Sequence, residues 1–254
     1  TKSQSIRYIG DKSNANTDSA LVATKRSLIF NELNKELYRK FFMNRNELQA
    51  CKDGYIYIHD QSARLDTMNC CLFDVGSVLR GGFEMGNVWY NEPKTLDVAF
   101  DVIGDIVLSA ASQQYGGFTV PSVDLILEPY ARKSYERDLK KYIDLGVPQD
   151  KAEEVAYKDV VKEMEQGFQG WEYKFNTVAS SRGDYPFITV TAGTGTGRFA
   201  KLATMSMLNV RREGQGKEGF RKPVLFPKIV FLYDENLHGP GKPLEDVFEV
   251  GVKC

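Results

Sequence analysis

The sequence has few of the residues on which many catalytic and structural sites depend. Its 254 residues include four cysteines and two histidines. Four cysteines are too few for a disulfide framework, so we expect a reducing compartment, the cytoplasm. No apolar run approaches the roughly 18 residues of a membrane-spanning helix, and the first residues do not read as a signal peptide. The sequence therefore predicts no association with a membrane.

Neither sign of charge predominates. The chain has 33 Lys and Arg against 34 Asp and Glu, a formal net charge of −1. Without a basic excess, we expect no binding to nucleic-acid polymers. Hydrophobic residues make up 42% of the chain and charged residues 26%, which is typical of a globular protein with a substantial core.

The scarcity of histidine and cysteine also restricts the chemistry. The chain has no G-x-S-x-G element, which a Ser-His-Asp hydrolase of the α/β type requires. A structural zinc site needs four nearby thiolates or imidazoles, usually in C-x₂-C pairs. Here Cys70 and Cys71 are adjacent, whereas Cys51 and Cys254 are isolated, so we expect no metal site formed by this chain alone. Adjacent residues of an extended chain point to opposite sides, so one of the paired cysteines faces the site and the other faces the packing.

Helical patterns alternate with β-rich runs along the chain. Apolar periodicity predicts helices at 19–43, 95–112, 123–143, 149–176, 198–211 and from about Leu244 onward. Runs of β-branched and aromatic residues predict strands at 55–59, 187–190 and 224–233. Residues 1–18 are polar and are predicted to form an extended arm. The alternation predicts an α/β fold with mostly parallel strands, in one domain or part of one.

Residues 192–198, AGTGTGR, form the clearest glycine loop. The loop follows a predicted strand and begins a helix, where backbone N–H groups can hold phosphate. It is neither a Walker A motif nor a full G-x-G-x-x-G. Two interpretations stay open, a phosphate site and a tight turn that needs positive φ. His59-Asp60 and Asn69-Cys70 are likewise consistent with either a polar site or internal packing.

Short motifs follow one another in order through the chain from about residue 14. They are NAN at 14–16, YIHD at 57–60, NCCLFD at 69–74, GFEMGN at 82–87, PK at 93–94, QYGG at 114–117, Asp124, EPY at 128–130, SY at 134–135, PFIT at 186–189 and FPKIVF at 226–231. This series strongly resembles the anaerobic (class III) ribonucleoside-triphosphate reductases, which are glycyl radical enzymes. No single motif is decisive, but the collinear order is specific.

The resemblance implies the fold and the domain. It implies the N-terminal half of a ten-stranded α/β barrel of the glycyl radical enzyme type, made of two antiparallel halves of five strands. Residues 1–254 are expected to be the N-terminal part of that catalytic barrel domain. The sequence does not match the family's ATP-cone, its thiyl-cysteine loop, its glycyl radical domain or its four-cysteine zinc site. Without these segments, we expect the chain to be inactive alone. The last predicted helix reaches Cys254 without a C-cap glycine, so we also expect a piece of a longer protein.

The resemblance also implies the reaction, which is reduction of ribonucleoside triphosphates to deoxyribonucleoside triphosphates. In the family, a radical-SAM activase installs the glycyl radical with S-adenosylmethionine and a 4Fe-4S cluster. The radical generates a thiyl that abstracts the ribose 3′ hydrogen, water leaves from C2′, and formate or a thiol system supplies electrons. The implied partners are the substrate, the activase, a second copy in a homodimer, and the remainder of the reductase chain.

Residues of this chain can be assigned from the same resemblance. Cys70 matches the cysteine that reduces or protonates the C2′ radical from the face opposite the thiyl, and Cys71 is assigned to packing. The expected substrate-binding residues are His59, Asp60, Asn69, Gly193, Gly195 and Gly197. The family's specificity site for dNTP or ATP effectors lies at a dimer interface, in the region matching about 88–140. The candidates there are Glu92, Lys94 and Gln113.

Two alternatives to this enzyme remain. One is a non-catalytic nucleotide-binding and dimerisation module that derives from the family and keeps its effector site. The other is a lyase of the formate acetyltransferase type, whose two adjacent catalytic cysteines lie in a loop that the Asn-Cys-Cys series does not resemble.

Overall fold

The structure is a computed structural model that describes residues 21–63, 68–180 and 183–254. In chain order its elements are α1 (Val22–Phe41), α2 (Arg45–Lys52), a 3₁₀ turn (Gln61–Ala63), β1 (Cys71–Leu72), α3 (Val75–Leu79), β2 (Phe83–Met85), β3 (Val88–Tyr90), α4 (Leu96–Ser112), β4 (Phe118–Val120), α5 (Val123–Asp144), α6 (Gln149–Thr177), β5 (Ile188–Ala192), α7 (Arg198–Glu213), β6 (Lys228–Phe231) and α8 (Glu245–Lys253).

The central sheet has four strands, and all of its pairings are parallel. The strand order β1-β4-β5-β6 follows the order of the chain. One row of residues crosses the whole sheet in register, from Leu72 through Thr119 and Thr189 to Lys228. The predicted α/β fold with parallel pairing is therefore confirmed. A separate antiparallel hairpin joins β2 to β3.

The hydrophobic core lies between one face of this sheet and the helices α4, α5, α6 and α7. The strand residues on that face alternate with more accessible ones, as the burial pattern of β5 shows. Phe100, Phe168 and Trp171 meet edge to face in the core, with ring centroids 4.8 to 5.7 Å apart. The Trp171 Nε1–H donates to the Phe100 carbonyl oxygen at 2.9 Å, so the polar atom of this buried ring is satisfied.

The opposite face of the sheet is accessible to solvent, and we call it the open face. Leu72 is 77% exposed and Val230 is 45% exposed, although both belong to strands of a parallel sheet. Helices normally cover both faces of such a sheet. The open face is defined by Cys70, Leu72, Thr119, Thr189, Thr191, Lys228 and Val230.

The strand predicted at 55–59 is wrong. Residues 55–58 follow α2 as irregular chain, and His59 begins a turn. Tyr55 and Tyr57 are 83% and 86% exposed. A high β propensity expresses fit to a half-buried pleated surface, and no strand of the described residues offers that surface here. The predicted arm at 1–18 and the predicted helix start at residue 19 lie outside the described residues.

The other predicted elements are confirmed with shifted ends. The sequence did not predict the short helices α2 and α3, the 3₁₀ turn or the four short strands β1 to β4. α2 begins with a capping box in which Asn44 and Glu47 bond reciprocally, a signal that the sequence carries as N-x-x-E. The β2–β3 hairpin turns at Gly86-Asn87, which is a recognised hairpin signal. β4 is a short strand directly after Gly117. Across the described residues, no helix is both long and apolar enough to cross a membrane.

Candidate functional site

Cys70 lies at the amino end of the sheet, immediately before β1, and its side chain is exposed on the open face. The Gly117 N–H donates to the Cys70 Sγ at 3.2 Å, and this sulfur is 3.8 Å from Asn69 Oδ1. Cys71 points the other way, packs against the core, and receives a hydrogen bond from Gln114 Nε2 at 2.6 Å. The predicted opposite orientation of the two cysteines is confirmed.

Gly116 makes room for this arrangement. Its N–H donates to the Asn69 carbonyl oxygen at 2.6 Å. A Cβ at this position would lie 2.3 Å from Asn69 Oδ1 and 2.7 Å from the Cys70 Sγ. A side chain would therefore displace the thiol or the amide. At the neighbouring Gly117, a Cβ would meet the Phe187 ring at 3.4 Å, so this ring packs beside Gly117 in the row of the sheet that contains Cys70.

His59 and Asp60 form a pair, with His59 Nε2 3.0 Å from Asp60 Oδ2. The His59 side chain is 73% exposed, whereas that of Asp60 is 17% exposed. Asp60 has a positive φ of 54°, which is uncommon for a residue with a side chain. Two residues later, the Ser62 hydroxyl is 3.1 Å from that of Tyr115, which connects this segment to the chain just before Gly116.

The glycine loop is held by a buried carboxylate from the neighbouring strand connection. Asp124 is fully buried, and its Oδ2 accepts the N–H groups of Gly193 at 3.1 Å and Gly195 at 3.0 Å. The Thr204 hydroxyl lies 3.4 Å from the same oxygen. The other oxygen, Oδ1, is buried without a hydrogen-bond partner among the described residues. The loop therefore binds an internal acceptor at two of its N–H groups.

His238 holds the carbonyl group of the same residue, Gly193. Its Nδ1 accepts the Asp234 N–H at 2.9 Å, so its Nε2 carries the hydrogen and donates to the Gly193 carbonyl oxygen at 2.8 Å. Only 2% of His238 is exposed. Neither contact was predictable from the sequence, because Asp124 and His238 lie 69 and 45 residues from Gly193 and no local pattern indicates them.

The structure does not bring the glycine loop to Cys70. The loop lies beyond the carboxyl end of β5, whereas Cys70 shares a row with Phe187 at the amino end. The six residue-to-residue steps from Phe187 to Gly193 span roughly 20 Å of extended chain. Substrate contact at Gly193, Gly195 and Gly197 stays a prediction, and it requires N–H groups other than the two that Asp124 binds.

The proposed effector residues divide into two places. Glu92 accepts the Gly81 N–H at 3.0 Å and pairs with Lys133 Nζ at 3.0 Å, and the first of these bonds chiefly lowers the pKa of Glu92. Lys94 is exposed just before α4, whereas Gln113 caps the far end of that helix. A helix of 17 residues is about 25 Å long, so a single chain does not bring Gln113 to the other two.

Comparison with known proteins gives the family. The family model described as anaerobic ribonucleoside-triphosphate reductase matches residues 13–254. The chain belongs to this family. Among curated relatives, the anaerobic ribonucleoside-triphosphate reductase of Escherichia coli strain K12 is 34% identical over 244 residues, and that of Enterobacteria phage T4 is 33% identical over 245 residues. These alignments cover 95% of this chain but 34% and 40% of the relatives, so the chain spans a little over a third of their length.

Solved structures of the family share the fold. The anaerobic ribonucleotide reductase from Thermotoga maritima in complex with dATP and CTP aligns with a TM-score of 0.59 at 16% identity, over 85% of this chain and 38% of that chain. The same enzyme with dATP bound in the specificity site aligns with a TM-score of 0.55 at 16% identity, over 87% and 38% of the two chains. At this identity, the likeness concerns the fold alone.

The described part of this reductase-family chain has no candidate metal site. No cluster of three or more His, Cys, Asp or Glu side chains is arranged there to hold a metal ion. All four cysteines are free thiols. Among these four thiols, Cys70 is the one that lies exposed on the open face with a backbone N–H donating to its sulfur.

Proposed function

We propose that this chain is the N-terminal part of the catalytic barrel domain of an anaerobic ribonucleoside-triphosphate reductase, with Cys70 as a catalytic residue. The whole protein would convert ribonucleoside triphosphates to deoxyribonucleoside triphosphates. The observation that carries the proposal is the position of the Cys70 thiol. It stands exposed on the open face of a parallel sheet, and the Gly117 N–H holds its sulfur.

The sheet supports the proposed barrel. Its four strands follow one another in chain order, so every crossover advances in the same direction and the helices gather on one face. This singly wound arrangement is typical of barrels, whereas open doubly wound sheets reverse their order. A parallel sheet with an uncovered face needs a further layer. We infer that the rest of the reductase chain supplies it and completes the ten strands.

Cys70 would act on the ribose from this face. Its thiol has a weak S–H bond and is oriented by the Gly117 N–H at 3.2 Å, so it can hold a hydrogen atom over C2′ of a substrate bound on the open face. A glycyl radical, which the activase would install with S-adenosylmethionine and its 4Fe-4S cluster on a segment outside this chain, would supply the radical chemistry. Asn69, beside the thiol, is proposed to bind the ribose hydroxyl groups.

The remaining assignments belong to this proposal as well. His59 and Asp60 would order the substrate entrance, and the first turn of α7 after Gly197 would meet the terminal phosphates of the substrate. Glu92 and Lys94 would contact a dNTP or ATP effector. Because α4 separates Gln113 from them, Gln113 would join that site from the second copy of a homodimer.

The test is Cys70→Ser in the complete reductase. We expect formation of deoxynucleotides to fall below detection while the glycyl radical signal in electron paramagnetic resonance persists. Cys51→Ser, which changes a cysteine on α2, is the matched control and should retain turnover. Turnover by the Cys70 variant at the wild-type rate would refute the catalytic role. An intact wild-type protein that binds dNTP but never turns over would instead identify the non-catalytic module.

A further inference from the structure

Lys228 is the one charged residue among the side chains that define the open face. It begins β6 and stands in the row that runs from Leu72 through Thr119 and Thr189. Its side chain is exposed. The other members of that row are apolar or uncharged, so the open face carries a local positive charge.

In the part of the chain that the structure describes, this charge has an aromatic neighbour and no ion-pair partner. The Lys228 Nζ lies 3.8 Å from the centroid of the Phe187 ring, which is cation–π distance. Phe187 lies two residues toward the amino end of the sheet from Thr189, in the row of Cys70 and Gly117. The contact with Phe187 therefore places the ammonium on the side of Lys228 that faces the row of Cys70. The N–H donors of the ammonium remain available for hydrogen bonds.

An ammonium in this position needs an anion once the open face is covered. A covered parallel sheet buries the inward side chains, and a buried charge is stable only when it is paired and hydrogen-bonded. Cation–π contact replaces only part of the lost hydration. The open face offers hydroxyl, thiol and apolar side chains, and none of them is a carboxylate.

We propose that Lys228 binds an oxyanion on the open face, and that this anion is the phosphate chain of the nucleotide whose ribose faces Cys70. The inference rests on the proposed function. Phe187 lies two strand spacings from Cys70, about 10 Å across the sheet. A ribose above the thiol and its phosphate chain can bridge that interval and reach the ammonium above the Phe187 ring. The glycine loop lies farther along β5, so only the terminal phosphates would extend toward it.

The experiment compares Lys228→Gln and Lys228→Arg with wild type in the complete reductase. Direct binding of a ribonucleoside triphosphate and of the parent nucleoside is measured by equilibrium dialysis, beside kcat and KM. Loss of a charge-assisted contact should weaken triphosphate binding and raise KM by about tenfold to a hundredfold. Nucleoside binding should change by less than about twofold, because the nucleoside lacks the anion. Lys228→Arg should restore most of the affinity.

A second titration distinguishes the source of the anion. Formate is the probe for a small carboxylate. If Lys228→Gln binds the triphosphate normally but needs a higher formate concentration for turnover, the assignment to the phosphate chain is wrong. Lys228 would then be a site for the small carboxylate. Lys217→Gln, on an exposed turn, is the control for a lost surface charge and should match wild type.

Unchanged binding of both probes in Lys228→Gln would overturn the inference, and would indicate that the missing layer of the barrel supplies a carboxylate for Lys228. A melting temperature matched to wild type ensures that the variant is folded. Lys228→Met, which also lacks the charge but keeps an apolar stem, provides the same test if the Gln variant is not folded. A failure of the proposed function gives a different result from a failure of this inference. The wild-type protein would then bind the triphosphate without turnover, and the effect of the Lys228 variants on binding would still be measurable.

Discussion

Gly116 and Asn69 are in direct contact, because the Gly116 N–H donates to the Asn69 carbonyl oxygen at 2.6 Å. The closeness of these two backbones positions the Cys70 thiol between Asn69 and Gly117. The site thus depends on Gly116, which has no side chain and lies 46 residues after Cys70 in the chain. Glycine is required here for space, since Gly116 is not among the residues with positive φ.

Gly116→Ala should therefore disable the site. The new Cβ would lie 2.7 Å from the Cys70 Sγ, and the thiol must move. Displacement of a reacting group by about 1 Å can cost about a hundredfold in rate, so we expect a loss of that size in deoxynucleotide formation by the complete reductase. Gly170→Ala, at a helical position with no atom within 4 Å, is the control. Wild-type turnover in Gly116→Ala would contradict the described geometry.

Two glycines on α6 should respond in opposite directions. A Cβ on Gly167 would lie 2.2 Å from the Phe100 ring, where α4 crosses α6, whereas Gly170 has open space. Gly167→Ala should destabilise the protein by about 1–3 kcal/mol through overpacking. Gly170→Ala should stabilise it by about 0.5–1 kcal/mol, because alanine loses less backbone entropy in a helix. Urea unfolding measures both, and equal changes in the two variants would refute the packing of α4 on α6.

Removal of the Asp124 carboxylate should loosen the glycine loop. Asp124→Ala leaves the N–H groups of Gly193 and Gly195 buried without an acceptor, at a cost of about 2–4 kcal/mol. Asp124→Asn keeps one acceptor oxygen and should cost less. Thr204→Val removes a longer contact and serves as the control, at about 0.5–1 kcal/mol. Hydrogen exchange at the two glycine N–H groups should accelerate in Asp124→Ala, and unchanged exchange would be evidence against the clamp.

Glu163 should make stability depend on pH in the mildly acidic range. Burial chiefly raises the pKa of this half-buried carboxyl above its ordinary value of 4.5. The folded state then binds more protons than the unfolded state, so the contribution of Glu163 is fully present below pH 4.5 and is lost as the pH rises through the raised pKa. In wild type, Glu163 accepts the Asp97 N–H at 2.9 Å. Glu163→Gln keeps an oxygen for this bond but does not ionise, so it avoids the loss of stability at higher pH.

The stability of Glu163→Gln relative to wild type should thus increase between pH 4 and pH 7. Urea unfolding at several pH values checks the trend. Glu165→Gln, an exposed change on the same helix, is the control, and its difference from wild type should stay flat. A difference that falls as the pH rises would reverse the sign and exclude burial as the cause.

Helices were predictable from the sequence where their apolar faces meet the core. The long α6 places Val160, Met164, Phe168, Trp171 and Phe175 at helical spacing, and all five are buried. Strands were less predictable. β1 and β4 are two and three residues long, and their pairing depends on partners that lie far along the chain. The aromatic run at 55–58 has the composition of a strand, but it has no partner among the described strands.

The candidate site was predictable only in part. The opposite orientation of Cys70 and Cys71 follows from the alternation of side chains along an extended chain. In the structure Cys70 is exposed and Cys71 packs against the core. The space that Gly116 provides and the bonds from Asp124 and His238 to Gly193 join residues 45 to 69 positions apart. Local patterns cannot show such contacts, because they arise only when the sheet brings separate strand connections together.

The agreement between strand order and chain order has a consequence for synthesis on the ribosome. β4 pairs with β1, β5 with β4 and β6 with β5, so each new strand finds its neighbour already made. No strand must insert between two that are paired. Long crossovers slow the formation of parallel sheets, but here the sheet can extend from one edge while the chain emerges, since the strands nearer the N-terminus are synthesised first. Assembly in this fold is thus directional, and β6 is its growing edge.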